Sequence, residues 1–171
     1  MSPSKFPQLS DEDLLGHYHR TRNFKAFRQL YLRHKDALYR YCVQINSVAT
    51  HPLAQRLWQD LLERPPELCG RLFRNWLYIR VNKMLGQEKV EHVEPPAGGN
   101  RLLEAIQHLP RLEKNLFLLH NECGLSLATA ADIEKISLSE CTEHYRSAKA
   151  MMEEFLFGAK GRPWPVREVA V

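Results

Sequence analysis

Gly124 to Met151 reads GLSLATAADIEKISLSECTEHYRSAKAM, the layout of a helix-turn-helix. A short helix comes first, then a turn at Lys135-Ile136-Ser137, then a longer helix from about Ser139. Ala131 takes the small position where the two helices cross, Ile136 fills the turn, and Cys141 and Tyr145 point back into the core. The turn usually wants glycine for a left-handed residue, so Lys135 is expected to cost about 1 kcal/mol there. Glu134 stands where an apolar residue usually packs. A motif of this kind lays its second helix in a DNA major groove with its first turns leading. The candidate reading residues are Ser139, Glu140, Thr142, Glu143, His144, Arg146 and Lys149. Glu140 has a structural reason, because Ser137 to Glu140 matches a capping box. Glu143 has none: a glutamate can accept from cytosine N4 but repels phosphates. His144, Arg146 and Lys149 can reach the backbone, so DNA reading and a packed, non-reading helix-turn-helix both stay open.

Upstream, VEHVEPPAGGN (Val90 to Asn100) interrupts otherwise helical sequence with two prolines and two glycines, and reads as a linker. Between it and the motif, Asn100 can cap RLLEAIQHL, Pro110 suits the first turn of PRLEKNLFLLHNEC, and Gly124 ends that helix. Before the linker lie four helices. Ser10 and Asp13 resemble a capping pair opening DEDLLGHYHRT. In FKAFRQLYLRHKDALYRYCVQI, Phe24, Phe27, Leu30, Tyr31, Leu38, Tyr41 and Cys42 recur at mostly three- and four-residue steps, an amphipathic pattern. PLAQRLWQDLLER follows and stops at Pro65-Pro66; ELCGRLFRNWLYIRVNKMLGQEK closes the set. No stretch sustains strand alternation. The expected fold is all-α, with two small helical domains over 1–89 and 101–157, a linker over 90–100 and an irregular tail over 158–171.

The 171 residues allow one ordinary domain or two small ones, and 44% hydrophobic with 26% charged residues is a globular balance. The formal charge of +4 is unevenly spread. Residues 1–89 hold 15 Lys+Arg against 8 Asp+Glu, whereas residues 90–171 hold 9 against 12. A polyanion is therefore expected at the N-terminal half. Cys42, Cys69, Cys123 and Cys141 stand far apart without CxxC spacing, which argues against a disulfide framework or zinc site. No run reaches the ~18 apolar residues of a membrane span, and the N-terminus lacks an apolar signal region. A cytoplasmic protein without membrane insertion is expected. His17 and His19, two apart, fall on different helix faces and read as surface residues rather than ligands. Without a phosphate loop, nucleophile elbow or metal motif, no enzyme, metal or cofactor is expected.

GRLFRNWLYIRVNKMLGQEK interleaves Arg71, Arg74, Arg80 and Lys83 with Phe73, Trp76 and Tyr78. Basic groups track a phosphate backbone while aromatic faces stack on unpaired bases. In the plainer reading Phe73, Trp76 and Leu77 are core and the basic residues a solvated face.

From Asp11 to about Phe157 the chain resembles a bacterial RNA polymerase sigma factor of the extracytoplasmic-function (ECF) group. AFRQLYLRHKDALYRYC resembles the first block of sigma region 2, and FRNWLYIRVNKM the later block near FRAWLYRIARN, with one residue fewer after Tyr78. LPRLEKNLFLLHNECGLSLATAADIEKIS is similar to the start of region 4, matching at Leu109, Pro110, Leu118, Leu119, Gly124, Leu125, Ser126, Ala131, Ile133, Ile136 and Ser137. The resemblance implies a subunit without catalysis of its own that binds core RNA polymerase and directs it to promoter DNA. It implies contact with the polymerase β′ coiled-coil through Leu57, Trp58, Gln59, Asp60 and Leu61, with Gln55-Arg56 replacing the family's acidic pair. Promoter melting and −10 recognition would fall to Arg74, Asn75, Trp76, Tyr78, Arg80, Asn82 and Lys83. Region 4 would read the −35 element and touch the polymerase β flap, although Thr142-Glu143-His144 replaces a Lys-Ser-Arg run. An anti-sigma factor is a further implied partner. Two rival readings stand beside this one: a sigma-like regulator that binds polymerase or an anti-sigma factor without reading a −35 element, and a stand-alone helix-turn-helix repressor.

Overall fold

A computed structural model describes residues 3–89 and 99–158. The tail from 159 and all but the last two residues of the expected linker lie outside them. Among the described residues the structure is all-helical, with eight α-helices and no strand. A 3₁₀ turn over Pro3–Gln8 precedes α1 (Asp11–Thr21), α2 (Phe24–Ile45), α3 (Thr50–Glu63) and α4 (Phe73–Gln87). After the expected linker come α5 (Arg101–His108), α6 (Arg111–Phe117), a π-helical turn (Leu118–Glu122), α7 (Leu127–Glu134) and α8 (Leu138–Phe157).

The helix starts follow local chemistry. Ser10, Asn23, Asn100, Ser126 and Ser137 each accept a hydrogen bond from an amide of the first turn they cap. The Ser137–Glu140 box closes in both directions, and these bonds lower the Glu140 pKa. Lys135 does adopt the left-handed conformation, at φ 57°. The fourth helix starts later than the sequence suggests. Leu68 to Arg71 form a turn, with Cys69 and Gly70 at φ 50° and 77°, and Arg71 lies before the helix.

The pattern on α2 holds with two exceptions. Phe27, Leu30, Leu38, Tyr41 and Cys42 are buried, whereas Phe24 and Tyr31 are exposed. His34, also buried, donates from Nε2 to Asp11 at 2.6 Å, and Arg33 reaches the same carboxylate at 2.8 Å. Arg33 also collects the carbonyls of Pro7 and Leu9, both at 2.8 Å, fastening the 3₁₀ turn to α2. At the far end of α1, Tyr18 and Arg22 donate to the Leu62 carbonyl at 3.0 and 2.9 Å, closing the last turn of α3.

The two halves of the chain dock against each other. α2 and α4 meet α6, the π-helical turn and α7 along a seam where Tyr41, Tyr78, Leu119 and Cys123 are buried. Polar pairs cross it: Tyr41 donates to Asn115, Asn115 to Asn82 at 3.2 Å, and Gln107 to Gln44 at 2.7 Å. Arg40–Glu122 and Arg71–Asp132 (3.2 Å) form ion pairs at its exposed margins.

Candidate nucleic-acid and polymerase interface

Helix α4 carries three faces at helical spacing. Phe73, Leu77, Val81 and Leu85 enter the core. Trp76, Arg80 and Lys83 share a second face, with Trp76 half-buried and stacked on Phe73 at 6.0 Å and the two cations exposed. Tyr78 and Asn82 form the third face and turn into the seam. Tyr78 is 1% exposed, sits edge-on to Tyr41 at 5.6 Å and lies beside Cys123. It is closed to any base in this arrangement. Asn82 is half-buried and committed to Asn115, whereas Arg74 is exposed and Asn75 half-buried.

α4 lacks a side-chain cap of its own, since Leu72 occupies the N-cap position. Its first amide, that of Phe73, donates instead to Glu12 of α1 at 2.6 Å. A carboxylate there also suits the positive end of the helix dipole. Sequence reasoning missed this residue because the pair is 61 positions apart.

On α3 the five candidate polymerase contacts divide. Leu57 and Leu61 are buried in the core at the base of a groove, and Trp58 packs against Phe27 and Tyr31. Gln59 and Asp60 are exposed, with Gln59 donating to Glu63 at 2.7 Å. Arg56, which breaks the acidic pattern, is paired with Glu88 at 2.6 Å. Asp60 faces Arg80 at 3.9 Å across a groove of about 460 Å³ that Arg64, Pro66 and Trp76 also line. The groove brings the candidate polymerase helix and the candidate promoter helix to one opening with an aromatic wall and a rim of mixed charge, Arg64 and Arg80 beside Asp60 and Glu67.

α7 and α8 meet at the tight turn around Lys135: Ala131 and Cys141 are buried, and Tyr145 is half-buried against His120 at 4.9 Å. On α8, Ser139, Glu143, Arg146 and Lys149 are exposed. His144 is half-exposed and donates to buried Glu113 at 3.0 Å, and the Thr142 hydroxyl donates to the Leu138 carbonyl at 2.7 Å. Both are engaged within the protein, and Glu140 serves its cap. Arg146 and Lys149 are left as the exposed cations of the candidate set.

Among the described residues no group of three His, Cys, Asp or Glu side chains is placed to hold a metal. No helix among them is long and apolar enough to cross a membrane.

An all-α fold with two helices joined by a tight turn in its second half and a basic, aromatic helix in its first defines the class of architecture. It is similar to that of CnrH, whose structure was solved in complex with the cytosolic domain of CnrY. The match has a TM-score of 0.68 at 21% identity and covers 85% of this chain and 96% of that one. No family model matches the sequence, and no curated protein matches it.

Proposed function

We propose that this chain is a sigma factor that binds core RNA polymerase and directs it to promoters, with no catalytic chemistry of its own. The observation that carries this reading is the fold shared with CnrH across both halves of the chain. The site geometry supports a division of labour. Gln59 and Asp60 present the polar surface for the polymerase β′ coiled-coil. Trp76, Arg80 and Lys83, with Arg74 beside them, meet the opened −10 strand, where stacking contributes roughly 1–3 kcal/mol per base. Arg146 and Lys149 supply the few phosphate contacts of the second half, so its salt dependence is shallow. The partner solved with CnrH motivates an anti-sigma factor as a partner here too.

In vitro transcription with core polymerase on a library of candidate promoters tests the reading. Discrete run-off products that disappear with Arg80→Glu/Lys83→Glu are expected, and initiation on no sequence would sink it. In a pull-down on core polymerase, Asp60→Arg is expected to lose retention.

The exposed Glu143 favours a second reading, in which the chain binds polymerase without reading a −35 element. Promoters with scrambled −35 segments would then be used as well as intact ones.

A further inference from the structure

The seam ends on an unusual group. Four side chains form a relay, the first three joined by hydrogen bonds. The Tyr41 hydroxyl donates to the Asn115 amide oxygen and the Asn115 nitrogen to the Asn82 oxygen at 3.2 Å, and the Asn82 side chain lies beside the Glu134 carboxyl and favours its charged form. The relay crosses from α2 to α6, back to α4 and over to α7. Its last member is an acid whose second oxygen, Oε1, is buried without a hydrogen-bond partner. A half-buried carboxylate with one oxygen shut away from water and unpaired opposes burial. The relay also borders a cavity of about 70 Å³ in which Asn46, Asn82, Arg111 and Asn115 line the wall beside apolar Ile45 and Leu85, roomy enough for water to enter the seam.

We propose that Glu134 is a release element: its desolvated carboxylate keeps the docking of the two halves weak, so that the seam opens and uncovers Tyr78 and Asn82 of α4. An apolar residue at 134 would pack and hold the seam shut. This inference rests on the sigma reading only for what the uncovered residues then meet; the opening itself does not depend on it.

The sign of the proton linkage follows from the surroundings. Burial pushes the Glu134 carboxyl up from its ordinary value of 4.5, against the pull of Arg111 and of the neighbouring Asn82 amide. The groups facing it are Asn82 from α4, Arg111 from α6, Tyr41 from α2 and Cys141 from α8. Burial raises the pKa of Tyr41 and Cys141, so both stay neutral in this range. A closed form with the higher carboxyl pKa binds the proton more tightly, so acid favours closure and rising pH favours opening.

The test is single-molecule energy transfer on the full chain without polymerase. Dyes are placed through Arg28→Cys on α2 and Glu153→Cys on α8, in a Cys42→Ala, Cys69→Ser and Cys123→Ala background shared by every variant. Wild type is expected to populate an open form at neutral pH that shrinks as the pH falls toward 4.5. Glu134→Gln, which keeps the shape without the charge, and Glu134→Leu are each expected to raise the closed-to-open ratio roughly tenfold and to abolish its pH dependence. If both variants stay within twofold of wild type, or acid-driven closure persists in both, the proposal is wrong. A chain that behaves as expected here yet never initiates transcription would overturn the sigma reading alone.

Discussion

The backbone amide of Phe73, the first of α4, is capped by the carboxylate of Glu12, which accepts its hydrogen bond at 2.6 Å from α1. The helix that presents Trp76, Arg80 and Lys83 is therefore started by a residue from another helix. Glu12→Ala is expected to lose about 1 kcal/mol and lower the thermal midpoint by roughly 2–4 °C. Amide exchange at residues 73–75 is expected to accelerate. A melt and an exchange profile unchanged from wild type would show that the cap contributes nothing.

Tyr41 and Asn115 form the buried centre of the seam. Tyr41→Phe keeps the ring against Tyr78 and strands the Asn115 oxygen, an expected loss of about 1–3 kcal/mol. Because the two groups share one bond, a cycle with Asn115→Ala is expected to show strong coupling in urea unfolding. Additive losses would mean that the bond does not form.

Stability in acid is expected to depend on Asp11. Burial pushes its carboxyl up, but hydrogen bonds from His34 and Arg33 outweigh burial and hold it below the ordinary value of 3.8. A carboxylate depressed in the folded state stabilises above that ordinary value and stops doing so as the pH falls through the folded one. Wild type is therefore expected to lose stability below about pH 4, and Asp11→Asn to flatten that slope while being less stable at neutral pH. Parallel curves for the two proteins between pH 5 and 2 would refute this.

Lys135 holds a left-handed conformation between α7 and α8. Lys135→Gly relieves that strain and is expected to gain up to about 1 kcal/mol, seen as a higher midpoint without change in helicity by circular dichroism. A lower midpoint would mean that the added unfolded-state freedom of glycine outweighs the strain.

Much of this structure is legible in the residues themselves. The extents of α1 and α2, the Asn100 and Ser137 caps and the left-handed Lys135 follow from local rules that act within four or five positions. The late start of α4 could have been read from Gly70, which the aromatic-basic pattern around it obscured. What local rules do not reach is how the halves meet. Nothing near Tyr78 distinguishes an aromatic that stacks on a base from one that fills a seam, because Cys123 and Asn115 lie far along the chain. Leu57 and Leu61 show the same limit from the other side: a motif carries the helix, and packing decides which of its residues remain outside.

The seam also seals thiols from both halves. Cys42 and Cys123 are buried, and burial pushes each up to about 12, whereas Cys69 stands exposed in the α3–α4 turn. An alkylating reagent therefore meets one prompt target and two latent ones. Mass-resolved tagging over time would turn Cys123 into a clock for the parting of the halves, readable in the unaltered chain.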